Sequence, residues 1–348
     1  MVITGASFPT PDFIKVSPNP DVWDQQARFA EIQADGANRA LARLDVLLDD
    51  VSTVEGRAQA FQQVYRELAA WRAELAQQPA GQRPGASPED YQMAIGHSYA
   101  RDAFGLGTHR SGSKLDEGRR VLAGGMQTPA SRLSERLGEI AETRFEAEGP
   151  SDEVLQNRVR LPDGSSVAGN VVCRGEAAAR QYSVPFAIQG FYCTLTGREE
   201  DRRRLQGAAF QTLAKLEGLR AEGRDALVED PAALKAFRDA EYFIYQGPEY
   251  RRGGDATIRT LLAASHTRVF QVAPKLPQDI DVMAYVAGQD GFDQHVASKQ
   301  QLLSGAAPSE SRSAGHGAAA GVIASSSARP KVGPAAGRVG SQSDSRLR

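Results

Sequence analysis

The chain has 348 residues, with 41 lysines and arginines against 43 acids and a formal net charge of −2. That balance gives no basic surplus with which to displace the counterions of a nucleic acid, and no apolar run approaches the ~18 residues of a membrane-spanning helix. Two cysteines, Cys173 and Cys193, are too few for a disulfide framework or a cysteine-rich zinc site. A hydrophobic content of 41% with 24% charged residues describes a soluble globular protein with some disordered length.

Residues 1–20 alternate small, polar and proline residues and read as a disordered N-terminus. They lack the basic and apolar regions of a secretory signal peptide, and Val2 excludes the myristoylation pattern. A specialised export system that reads such a segment, with a secretion chaperone bound there, stays open.

Residues 21–148 form a helical region. Phe61, Val64, Tyr65, Leu68, Trp71 and Leu75 recur at three- and four-residue steps, which makes one apolar stripe. Ser52 with Glu55 is a capping-box signature at its start. Leu41, Leu44, Leu47 and Leu48 give the preceding helix a matching face, so the two predict an antiparallel hairpin that packs internally or offers a partner groove. A Pro/Gly/Gln-rich linker follows near 77–87, then a short helix from Pro88 to Ala100 and a glycine-rich loop from Ala103 to Ser113 that lacks the spacing of a phosphate-binding loop. His97 and His109 flank that loop without further ligands at metal spacing, so no metal site is expected. Ser131–Phe145 is helical again.

The character changes near Gly149 and Pro150. Val159 and Leu161, then Asp163-Gly164, then Val167, Val171 and Val172 predict two strands around a tight turn. Further strands are expected at Tyr192–Thr196, Glu241–Tyr245, Arg268–Ala273 and Val282–Ala287, with helices from Asp201 to Leu219 and from Pro231 to Arg238. Residues 152–296 thus read as an α+β domain with a mixed or antiparallel sheet. From 304 to 348 the chain is Ala, Gly, Ser, Pro and Arg, a composition that cannot bury enough surface to offset ordering entropy, and a disordered tail is expected.

Three segments carry candidate chemistry. Residues 169–175 (GNVVCRG) end an apolar strand on Arg174; residues 190–196 (GFYCTLT) place Thr194 and Thr196 on a second; residues 238–244 (RDAEYFI) set Asp239 and Glu241 two apart. On an extended chain, positions i and i+2 share a face, so the two carboxylates are expected to converge on one pocket. This order of arginine, hydroxyl strand and acid-x-Glu resembles the mono-ADP-ribosyltransferases of the arginine–serine–glutamate type, which include bacterial toxins and effectors. The resemblance covers about residues 159–244, with Thr in place of Ser on the second strand and Asp in place of the first Glu on the third. It implies that Arg174, Thr194 and Thr196 hold NAD, that Glu241 stabilises the oxocarbenium-like charge at the ribose, and that Asp239 prepares the acceptor. It also implies a host protein as target and action inside a host cell after export without a conventional signal; otherwise a cytoplasmic location is expected. The chemistry is coherent, because a guanidinium grips phosphate oxygens with a planar fork and a carboxylate stabilises developing positive charge.

Two other readings use overlapping residues. Cys173 precedes a helix-like run, with His266 and Asp281 downstream, the order of nucleophile, base and orienter in a papain-like cysteine hydrolase. Alternatively the chain is a non-enzymatic interaction protein or a degenerate transferase, and Phe61, Tyr65 and Trp71 would then be exposed on the helical hairpin.

Overall fold

The computed structural model describes residues 2–9, 20–78, 81, 87–95, 104–106, 129–149, 153–182, 192–223 and 227–303. The protein is mixed α+β, mostly helical with small antiparallel sheets. In chain order the described elements are α1 (Pro20–Leu48), α2 (Val54–Ala76), β1 (Phe104–Leu106), α3 (Pro129–Glu148), β2 (Val154–Arg160), β3 (Ser166–Arg174), α4 (Gly175–Tyr182) and β4 (Tyr192–Leu195). They continue with α5 (Glu199–Ala221), α6 (Pro231–Gln246), α7 (Gly254–Phe270), β5 (Ala273–Lys275), α8 (Ile280–Val286), α9 (Gly288–Lys299) and β6 (Gln301–Leu303). No helix among the described residues is long and apolar enough to cross a membrane. The tail expected over 304–348, most of the 77–87 linker, His97 and His109 lie outside the described residues.

The N-terminal hairpin forms as its stripe requires. Thr53, one residue beyond the expected Ser52, caps α2 by accepting a hydrogen bond from the Gly56 amide at 3.1 Å. Phe61, Val64, Tyr65 and Leu68 are buried, and the Tyr65 ring lies 5.8 Å from Phe210 of α5 and 6.3 Å from Tyr250. The stripe is filled by the protein's own helices, so it does not offer an open partner groove. Residues 2–9, expected to be disordered, are packed instead. Ile3 and Phe8 are buried with Ala30, Ala34 and Ala37 of α1 and Ala263 of α7. The Asn38 side chain clasps the Ile3 backbone, accepting from its amide at 3.0 Å and donating to its carbonyl at 2.8 Å.

The four-stranded antiparallel sheet has the order β1-β4-β3-β2, with β2 at one edge. The β2–β3 hairpin closes as its sequence predicts. Leu161 and Ser165 pair across the turn, Asp163 accepts from the Ser165 amide at 2.8 Å, and Gly164 takes a φ of 82° that side chains disfavour. Three expected strands are helical. Glu241–Tyr245 belongs to α6, Arg268–Phe270 ends α7, and most of Val282–Ala287 lies in α8. The cause is burial on all sides: residues 240–246 are all buried, so the helical period leaves no polar face to betray it. One buried apolar cluster runs from Ala40 of α1 to Val296 of α9 and includes residues of both helices and sheet.

A polar network locks α8 to the sheet. The last carbonyls of a helix have no intrahelical partner. Here Gln246 donates to the Ala284 carbonyl at 2.6 Å, Asn157 and Asn170 donate to that of Tyr285 at 3.0 and 2.9 Å, and Arg144 donates to that of Val286 at 2.8 Å. Asn157 also donates to Asn170 at 2.6 Å, and Gln246 accepts from the Asn170 amide at 2.8 Å. Side chains from α3, β2, β3 and α6 thus converge on one helix end.

Candidate functional site

Strands β3 and β4 pair with Val172 opposite Thr194, Cys173 opposite Cys193 and Arg174 opposite Tyr192. Alternation along each strand sets Val172, Arg174, Tyr192 and Thr194 on one face, and Cys173 and Cys193 on the other. Arg174 ends β3, and Gly175 begins α4 directly after it. Its guanidinium lies 4.5 Å over the Phe145 ring of α3 and 5.7 Å from the Tyr192 ring, and those two rings stack at 5.6 Å. Glu142 of α3 pairs with it at 3.2 Å, and its Nη1 donates to the Tyr192 hydroxyl at 3.3 Å. The side chain is still 32% exposed. The result is a cation oriented by two aromatic rings and a carboxylate. Thr194 is buried beneath the same face, and Thr196, just past the end of β4, is buried too. Phe191 lies outside the described residues.

The carboxylates stand differently from their expected arrangement. Asp230 caps α6 by accepting from the Ala232 amide at 2.8 Å, with Pro231 in the first turn. Asp239 and Glu241 follow on that helix, where a two-residue step turns about 200° around the axis. They point to opposite sides and share no pocket. Asp239 is held by Lys235 at 2.7 Å and accepts from Gln289 at 3.2 Å. Glu241 is fully buried, and neither of its oxygens has a hydrogen-bond partner. Burial raises its pKa to about 8, against the opposing pull of the Arg238 charge. The residues that touch the Arg174 guanidinium come from α3 and β4, not from α6.

No family model and no curated protein matches the chain.

Cys173, His266 and Asp281 occupy three separate environments. Cys173 lies among Val171, Ala178, Cys193 and Leu195. Burial pushes its thiol up to about 12, the reverse of an activated nucleophile. His266 sits inside the core between Phe237, 5.1 Å away, and Phe270, 4.7 Å away. Its Nδ1 is 2.8 Å from the Val272 carbonyl, and burial lowers its pKa to about 4. Asp281 lies 3.5 Å from the buried Arg259, which is also held by Asp255 at 2.8 Å. Among the described residues no cluster of three or more His, Cys, Asp or Glu could hold a metal.

Sequence reasoning missed Glu142 and Phe145. They are three apart on a helix and therefore neighbours on one face, a spacing visible beforehand; their meeting with Arg174 across 29 or more residues is not.

Proposed function

We propose that the face of β3 and β4 around Arg174 binds NAD, and that the chain acts as a mono-ADP-ribosyltransferase effector on a host protein. The supporting observation is that Arg174 and Thr194, two of the residues in the family resemblance, share one sheet face, with the guanidinium braced on Phe145 and Tyr192 and partly open to solvent. A pyrophosphate that displaced the Glu142 carboxylate would meet a guanidinium already oriented by the two rings, at little ordering cost. Export without a conventional signal, the host target and action in the host cell rest on the resemblance alone.

A second reading is favoured by one specific observation. Glu241 is sealed in the core and, with its raised pKa, largely protonated at neutral pH, so it offers no ionised carboxylate to a ribose. The chain would then be a degenerate transferase that binds the dinucleotide and works by interaction. One experiment separates the readings: calorimetric titration of NAD into the full chain, followed by incubation with labelled NAD and a host-cell lysate. Binding that Arg174→Ala abolishes, together with labelled acceptor protein, supports the transferase. Binding without transfer selects the degenerate form. A folded wild-type chain that does not bind NAD overturns both.

A further inference from the structure

A hollow of about 530 Å³ runs along the outer edge of β2, with Gly288–Gly291 at the start of α9 as its far wall. It is separate from the Arg174 face and does not depend on the NAD reading. Along β2 the exposed Gln156, Arg158 and Arg160 alternate with the buried Leu155, Asn157 and Val159. Arg158 and Arg160 therefore project together about 7 Å apart, the two-residue repeat of a strand. On the inner side they face Ala168 and Ser166 of β3, which offer no charge. Arg144, at the edge of the hollow, is already committed to Glu148 and to the network at the end of α8.

The far wall shows what this edge accepts. The Gln289 side-chain amide accepts from the Arg160 amide at 2.9 Å and donates to the Arg160 carbonyl at 3.2 Å, the two bonds that a residue directly opposite on an antiparallel strand would make. The next residue, Asp290, pairs with the Arg160 guanidinium. One short segment thus supplies an amide for the backbone and a carboxylate for the arginine. Two residues back, Arg158 has neither salt bridge nor hydrogen bond to any described side chain, and β2 has no strand on that side among the described residues.

We propose that the outer edge of β2 over residues 154–158, the stretch short of the Gln289 cap on Arg160, is a docking site for an extended acidic segment of a partner protein, which adds to the sheet as a further strand and places a carboxylate on Arg158. Backbone pairing supplies the affinity of such strand addition, and the alternate side chains supply its specificity.

Fluorescence anisotropy on the full chain tests this, using a dye-labelled decapeptide that alternates Glu and Thr. The wild type binds it, and Arg158→Glu weakens binding about tenfold. A Lys-for-Glu version of the peptide prefers the Arg158→Glu chain. When the Glu/Thr peptide is N-methylated on its odd or on its even amides, at least one of the two forms loses binding, because one set points at β2. Arg158 is exposed, so the variant is expected to fold, which circular dichroism checks. Equal binding of the parent and both methylated forms overturns the proposal, since charge alone would then hold the peptide. So does undiminished binding by Arg158→Glu, or no binding by the folded wild type.

Discussion

Cys173 and Cys193, the chain's two cysteines, stand directly opposite each other on β3 and β4, with the Cys173 sulfur 3.5 Å from the Cys193 carbonyl oxygen. Both are buried, and burial raises their thiols to about 12 and about 11. Since the thiolate is the reactive form, neither is expected to alkylate with iodoacetamide at pH 7.5 in the native protein, and both should alkylate in urea. Mass spectrometry of the two samples decides. Rapid native labelling of Cys173 would restore the hydrolase reading.

Glu241 makes stability depend on pH. Its folded value, about 8, lies above the ordinary 4.5, so folding favours the protonated form. The contribution is fully present below about pH 4.5 and is lost as pH rises through 8. Glu241→Gln keeps the shape without the ionisation. The variant should gain melting temperature over the wild type as pH goes from 5 to 8, with an effect on the order of a few kcal/mol at the top of that range. Parallel melting curves across the whole range would count against this burial account.

His266 acts in the opposite direction. Its pKa is lowered from 6.5 to about 4, chiefly by burial, so its stabilising contribution is present above 6.5 and is lost as pH falls towards 4. The Val272 carbonyl can only accept, which assigns the proton of the neutral ring to Nδ1. Nitrogen chemical shifts should show that tautomer unchanged from pH 7.5 to 5.5. A ring that titrates near 6.5 would place it in contact with water.

The network at the end of α8 is expected to behave as a unit. Asn170→Ala removes a donor to the Tyr285 carbonyl and an acceptor for Asn157, and should cost about 1–3 kcal/mol. Asn157→Ala should cost a similar amount. Because the two side chains share partners, the double variant should cost less than the sum. Urea denaturation of the four proteins of the cycle measures the coupling, and strict additivity would show that the bonds act independently.

Local signals in the sequence located the parts whose cues lie close together. The β2–β3 hairpin was legible because alternation and Asp163-Gly164 fall within a few residues of each other. The α2 stripe was legible because one side of that helix is wet. The helices over 241–246 and 268–270 were not, since Tyr242, Phe243, Ile244 and Tyr245 are buried on every side and a short apolar run fits strand and helix alike. That misreading undid the expected Asp239–Glu241 pair, because a two-residue step that aligns side chains on a strand opposes them on a helix. The pairing of the Thr194 strand with that of Arg174 shows only in the fold. The Arg174 partner Glu142 and the α8 network join residues 13 to 142 positions apart, which no local pattern encodes.

The clasp between Ile3 and Asn38 has a consequence for biosynthesis. Ile3 and Phe8 rest on alanines of α1 and also on Ala263 and Ala273, so these two side chains find part of their seat only after some 270 more residues have been translated. Until then that apolar pair has no complete shelter, and the segment that carries it is expected to be among the last parts to settle as the nascent chain emerges.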